Sequence, residues 1–96
     1  MAQYFWQETE NDRVRIGLTE GAQEAFGKIK FAKLPAVGET VTVGNAFLSV
    51  EAEKAVLDLD APLSGQVVAV NEAANATPAL LDDPERKNNW IAEIKA

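Results

Sequence analysis

Residues 50–56 read Val-Glu-Ala-Glu-Lys-Ala-Val, with glutamates one and three positions before Lys54. Exposed on a turn, that amine is a group that another enzyme can modify; the alternative is a solvated turn lysine. Other chemistry is scarce. The chain has no cysteine and no histidine, which removes disulfides, thiolate nucleophiles, the usual zinc sites and the commonest general base. Thiol chemistry, if any is performed, must come from something attached. Asp82-Asp83 reads more simply as a turn or helix cap than as a catalytic pair. Asp58-Leu59-Asp60 lacks the loop that a calcium motif needs.

The lysine must be held by the segments on either side of it, AFLSVEA and VLDLDA. Paired antiparallel with Glu53-Lys54 as a two-residue loop, they set Leu48 opposite Leu59, Val50 opposite Leu57 and Ser49 opposite Asp58. One face is then apolar and the other polar, and a slip of one residue would mix them. Glu51, Asp58 and Asp60 share the exposed face as an acidic patch near the lysine. The turn itself breaks a local rule, because two-residue hairpin loops favour Asn-Gly or other glycine-containing pairs. Such a break in otherwise consistent surroundings points to function at the tip. Gly44 and Gly65 stand ten residues before and eleven after the lysine, which suggests two similar halves folded about it.

The rest of the chain reads as short strands separated by turn signals. Arg13–Ile16 alternates as a half-buried strand, broken by Gly17. Thr19 fits a helix N-cap for TEGAQEAF, which Gly27 ends. Ile29 and Phe31 mark a strand that Pro35 stops, and Val41 and Val43 share a face of ETVTV. QVVAV is strand-like, ATPALLDDPERKNN is a turn with a short helical piece and a polar loop, and WIAEIK is a closing strand. Trp6 and Trp90 are expected to pack near the two ends of the chain. This pattern predicts an all-β sandwich or barrel with short helices. At 96 residues and 47% apolar, the chain has the material for one domain and one modest core. A net charge of −6 argues against nucleic acid. No apolar run reaches membrane-spanning length and the start lacks a signal-peptide layout, so no membrane partner and a cytoplasmic location are expected.

Three stretches together carry a family resemblance: Gly-Leu-Thr…Ala-Gln…Phe-Gly at 17–27, Leu-Pro…Val-Gly at 34–38, and Glu-x-x-Lys-Ala at 51–55. With APLSGQVVAVNEAA, they resemble the H protein of the glycine cleavage system from about Tyr4 to Lys95. The resemblance implies a flattened β-barrel-sandwich of the lipoyl and biotinyl carrier type, spanning 1–96 as one lipoyl-carrier domain. It implies lipoic acid in amide linkage to Lys54, and a carrier that is not itself an enzyme. It places Glu51 where a lipoate ligase or lipoyl transferase reads the site. Glu53, Asp58 and Asp60 are further candidates for partner recognition. Biotin is disfavoured because biotinyl lysines are flanked by methionines, and Met1 is the only methionine.

Three features depart from the family pattern. Tyr4-Phe5-Trp6 stands where His-Glu-Trp is usual, Glu53 replaces a small apolar residue, and the sequence stops just after WIAEIK where a C-terminal helix usually follows. These departures resemble a shorter H-protein-like branch. They raise the expectation of a role in lipoate transfer or in an ADP-ribosylation-linked oxidative-stress system, with sirtuin- and macrodomain-type partners. The alternatives are an aminomethyl carrier working with the glycine cleavage enzymes, and an unmodified interaction domain of the same fold.

Overall fold

A computed structural model describes residues 4–96. Strands β1 (Phe5–Glu10) and β2 (Arg13–Leu18) form a hairpin, followed by helix α1 (Glu20–Phe26) and strands β3 (Ile29–Lys33) and β4 (Thr40–Val41). Then come β5 (Ala46–Ala52), β6 (Val56–Asp60) and β7 (Gly65–Val70). Helix α2 (Glu72–Ala76), a 3-10 turn (Pro78–Asp82), helix α3 (Arg86–Asn89) and β8 (Trp90–Lys95) complete the described chain.

The strands form two sheets, one ordered β1-β2-β8-β7-β4 and the other β3-β5-β6. The fold is therefore an open sandwich of two sheets rather than a closed barrel. Its core lies between the sheets. Leu48, Val50 and Leu59 face Ile16, Val67 and Ile94, all 5% exposed or less, and Phe26 of α1 and Leu81 of the 3-10 turn join the same cluster. Hydrophobic burial is the main favourable term in such a small domain, so the register that sends these side chains inward is strongly fixed.

Three successive pairings share nearly one centre, the Glu53-Lys54 tip. Leu48 pairs with Leu59 in β5/β6, Thr40 with Gln66 in β4/β7, and Arg13 with Lys95 in β2/β8. The chain is thus folded back about the lysine over most of its length, as the spacing of Gly44 and Gly65 suggests.

Two local readings need correction, and two further placements lie beyond what local pattern conveys. Gly17 does not end β2; the strand continues through it to Leu18. A Cβ on Gly17 would lie 2.2 Å from the Trp6 ring, so the missing side chain makes room for the indole across the pair Trp6–Gly17. Val41 and Val43 do not share a face, because β4 is only two residues long and Val43 lies in the turn beyond it, 59% exposed. Ile29 and Phe31 point opposite ways: the register shifts between them, and Phe31 is 57% exposed while Ile29 is buried. WIAEIK closes the sequence but not the sheet, since β8 lies between β2 and β7.

The two tryptophans are packing residues. Trp6 is buried, and its Nε1 donates to Asn89 Oδ1 at 2.8 Å, while Asn89 Nδ2 donates to Asp83 O at 2.8 Å. Arg86 stacks on the Trp6 ring at 4.7 Å and also pairs with Glu8. Trp90 is half-buried beneath Arg15, 4.4 Å from its ring centre. No described helix is long and apolar enough to cross a membrane.

Candidate functional site

The β5/β6 hairpin has the register expected from its sequence. Leu48 pairs with Leu59, Ser49 with Asp58, Val50 with Leu57 and Glu51 with Val56. Ala52 N donates to Ala55 O at 2.8 Å and closes a two-residue turn of Glu53 and Lys54. Asn11 is the only non-glycine among the described residues with positive φ, so this turn is not of the primed type that matches strand twist. Unprimed turns splay a hairpin unless something else holds the ends.

The α1–β3 loop supplies the hold. Lys54 N donates to Phe26 O at 2.8 Å, and Glu53 N donates to Lys28 O at 2.9 Å. Glu53 also accepts weakly from Lys28 N through Oε1, at 3.4 Å. Between those two carbonyls sits Gly27, with φ +74° and ψ −158°. A Cβ there would lie 3.0 Å from Glu53 Cβ, 2.9 Å from Glu53 Oε1 and 3.4 Å from Lys54 Cγ. The lysine stem therefore lies over a glycine, in a backbone conformation that side chains seldom adopt. The stem ends with Nζ donating to Glu24 O at 3.3 Å. That carbonyl belongs to the last turn of α1, the end of the helix that favours a cation.

Local sequence builds this seat. Thr19 Oγ1 accepts from Ala22 N at 3.1 Å and starts α1, whose Ala22 and Phe26 are buried, and Gly27 ends it. Gln23 Nε2 donates to Leu81 O at 2.8 Å and Asp83 O at 2.7 Å, tying α1 to the 3-10 turn. Asp82 accepts from Ile29 N at 3.0 Å and so fixes the start of β3. Burial pushes the Asp82 carboxyl above its usual range, only partly opposed by that hydrogen bond and by Lys28, and the charge of Glu53 acts in the same sense as burial.

The sequence-derived candidates fall in distinct places. Lys54 and Glu53 share the exposed tip. Glu51 and Asp58 stand on the outer face of the β3-β5-β6 sheet, where Ser49 donates to Asp58 at 2.6 Å. Asp60 is exposed farther along β6, paired with Ala46. Glu51 and Asp58 border a shallow depression of about 360 Å³ that also includes Phe31 and Val56, 57% and 77% exposed; Asp60 does not line it. Sequence reasoning missed both apolar residues. Val56 was legible from parity, because it shares the face of Asp58 and Asp60. Phe31 was not, because the register shift that turns it outward leaves no clear mark in the sequence. Among the described residues, no three acidic side chains are grouped to hold a metal ion.

The family model for glycine cleavage H-protein matches residues 1–96. The glycine cleavage system H protein of Corynebacterium jeikeium is 45% identical over 86 residues, 90% of this chain and 68% of that protein. The H protein of Mycobacterium bovis is 40% identical over 95 residues, 98% of this chain and 71% of that protein. Among solved structures, a glycine cleavage system H protein from Mycobacterium marinum superposes with a TM-score of 0.87 at 39% identity, covering 99% of this chain and 80% of that one. These relatives carry the glycine cleavage name and lend no support to the ADP-ribosylation-linked branch.

Proposed function

The chain belongs to the glycine cleavage H-protein family, and from that premise we propose that it carries lipoate on Lys54 and serves as the aminomethyl carrier of the glycine cleavage system. Members of the family are non-catalytic carriers with lipoate covalently attached to a lysine. The observation that carries the assignment is the seat of Lys54. It is an exposed primary amine at a hairpin tip, and its backbone is fixed from outside the hairpin by Phe26 and Lys28. An amide bond needs a free, accessible amine, and this lysine offers one without disturbing the core.

Once attached, lipoate supplies a dithiolane that can exchange between disulfide and dithiol and accept a one-carbon unit. The protein's part is mechanical and electrostatic. The α1–β3 loop holds the root of the arm so that the cofactor is presented from a fixed point, and the core behind the tip limits its recoil. Glu24 O can accept from the amide N–H formed on Nζ as it does from the amine, so the root keeps a partner after modification. Partners on this reading are a lipoate ligase or lipoyl transferase and the glycine cleavage enzymes.

Intact-mass analysis after incubation with lipoate, ATP and a lipoate ligase should show one lipoyl addition, absent in Lys54→Arg. An unchanged wild-type mass, under conditions that modify a control H protein, would sink the assignment. Glycine decarboxylation supported by the lipoylated form then separates the glycine cleavage role from the lipoate-transfer or ADP-ribosylation-linked role, which rests on Tyr4-Phe5-Trp6 and Glu53. An unmodified interaction domain would fail both assays.

A further inference from the structure

Resting on Lys54 as the attachment site, we infer that Phe31, Glu51 and Val56 form the docking surface for the lipoate-attaching enzyme, whose complementary surface is an apolar patch around one basic side chain. The three residues form one row across the outer face of the three-stranded sheet. Phe31 pairs with Glu51, and Glu51 pairs with Val56. A carboxylate is thus bracketed by exposed apolar side chains on both neighbouring strands.

The row exists because of the shift in β3. Ile29 pairs with Ala52 but Phe31 pairs with Glu51, so one extra residue is accommodated between them. Without it, simple alternation would turn Phe31 inward with Ile29. Bulges re-aim side chains and concentrate beside functional sites. Here the bulge leaves an aromatic ring 57% exposed and forgoes its burial in the core. Ser49 and Asp58 form the far end of the same depression of about 360 Å³.

Position selects the occupant. An enzyme acylating Lys54 must bring its active site to Nζ, and a standard interface covers about 800 Å² per partner, a disc of about 16 Å radius. Glu51 lies three residues before Lys54, within about 10 Å at strand spacing. The row is therefore within reach of such an enzyme's footprint. A second copy seated by two-fold symmetry would set Glu51 and Asp58 against their own equivalents, in a chain already carrying −6. The arm itself starts on the α1 side of the tip, with the lysine stem over Gly27.

The test uses the full chain, a lipoate ligase, lipoate and ATP. Phe31→Ser/Val56→Ser should raise the KM for the carrier about tenfold and change kcat less than twofold. Val37→Ser/Val43→Ser, at the other exposed large apolar residues, should leave both unchanged. In a Lys54→Arg background, where no turnover occurs, the Phe31/Val56 substitutions should weaken direct binding to the ligase by the same factor. Wild-type protein modified at Lys54, with unchanged KM and binding in the Phe31/Val56 variant, overturns the docking surface and leaves the carrier assignment standing. A wild-type chain that stays unmodified overturns both. A wild-type dimer that the Phe31/Val56 substitutions dissolve, with ligase binding intact, assigns the row to self-association and also overturns the proposal.

Discussion

Replacing Gly27 by alanine tests the seat of the lysine directly. At φ +74° and ψ −158°, the residue occupies a region that is essentially reserved for glycine, and a side chain forced into it costs about 1–3 kcal/mol. The added Cβ would also lie 3.0 Å from Glu53 Cβ, a backbone-anchored atom that cannot swing aside. Together these give an expected loss of about 2–3 kcal/mol. For a chain of this size, about 4–8 °C of midpoint accompanies each kcal/mol, so thermal unfolding should fall by about 10–20 °C. Urea titration followed by tryptophan fluorescence gives the free energy, and thermal circular dichroism gives the midpoint. Gly27→Ala/Glu53→Ala should recover only the part due to the Glu53 carboxylate contact at 2.9 Å, because the backbone strain remains. A Gly27→Ala protein within about 0.5 kcal/mol of wild type would refute the reasoning. The loop would then not constrain the tip as the hydrogen bonds to Phe26 O and Lys28 O imply.

Two further perturbations probe how the sheets are held. Asn89→Leu should cost about 1–3 kcal/mol in urea titration, because it leaves the buried Trp6 Nε1 without its acceptor and removes one of the two donors to Asp83 O, the other being Gln23 Nε2; a loss below about 0.5 kcal/mol would show that the indole finds another partner. Glu93 accepts from Arg13 and Arg15 at 3.1 and 2.9 Å. Partial burial pushes its carboxyl up, but the two guanidinium groups outweigh it and hold it below the usual range. A carboxyl depressed in the folded state gives stability that is present above its unfolded pKa and lost as pH falls through the folded one. Glu93→Gln should therefore cost about 1 kcal/mol near neutral pH, a modest figure because both arginines are well exposed, and the difference from wild type should vanish in strong acid. A cost independent of pH would show that packing, not charge, accounts for the loss.

Much of the site was legible from period-two patterning. The pairing of Leu48 with Leu59 and Val50 with Leu57 follows from keeping apolar residues on one face, and that alone places Glu53-Lys54 at the turn. Helix α1 was legible from Thr19 and Gly27, residues whose roles at helix ends are local. What escaped was set by tertiary contact. Strand β1 carries one buried residue in FWQETE, too little pattern to register, and owes its place to Trp6 packing across Gly17. Helix α2 is five residues long, capped by Asn71, shorter than a periodicity can reveal. The outward turn of Phe31 could not be read from the strand at 29–33, because alternation cannot foresee a bulge. The means by which a glutamate and a lysine form a turn lay in carbonyls some 25 residues away in sequence, beyond any local rule.

The order of the strands also bears on how the protein comes to be made. Every contact that builds the β3-β5-β6 sheet is available once residue 60 has been synthesised, whereas the other sheet cannot close until residues 90–95 arrive to fill the gap between β2 and β7. During synthesis at about 5–20 residues per second, the lysine hairpin can therefore form while its apolar underside, Leu48, Val50 and Leu59, still faces water. Until β8 is in place the β3-β5-β6 sheet is only half covered, and exposed apolar surface of this kind is what makes partly folded chains prone to aggregate.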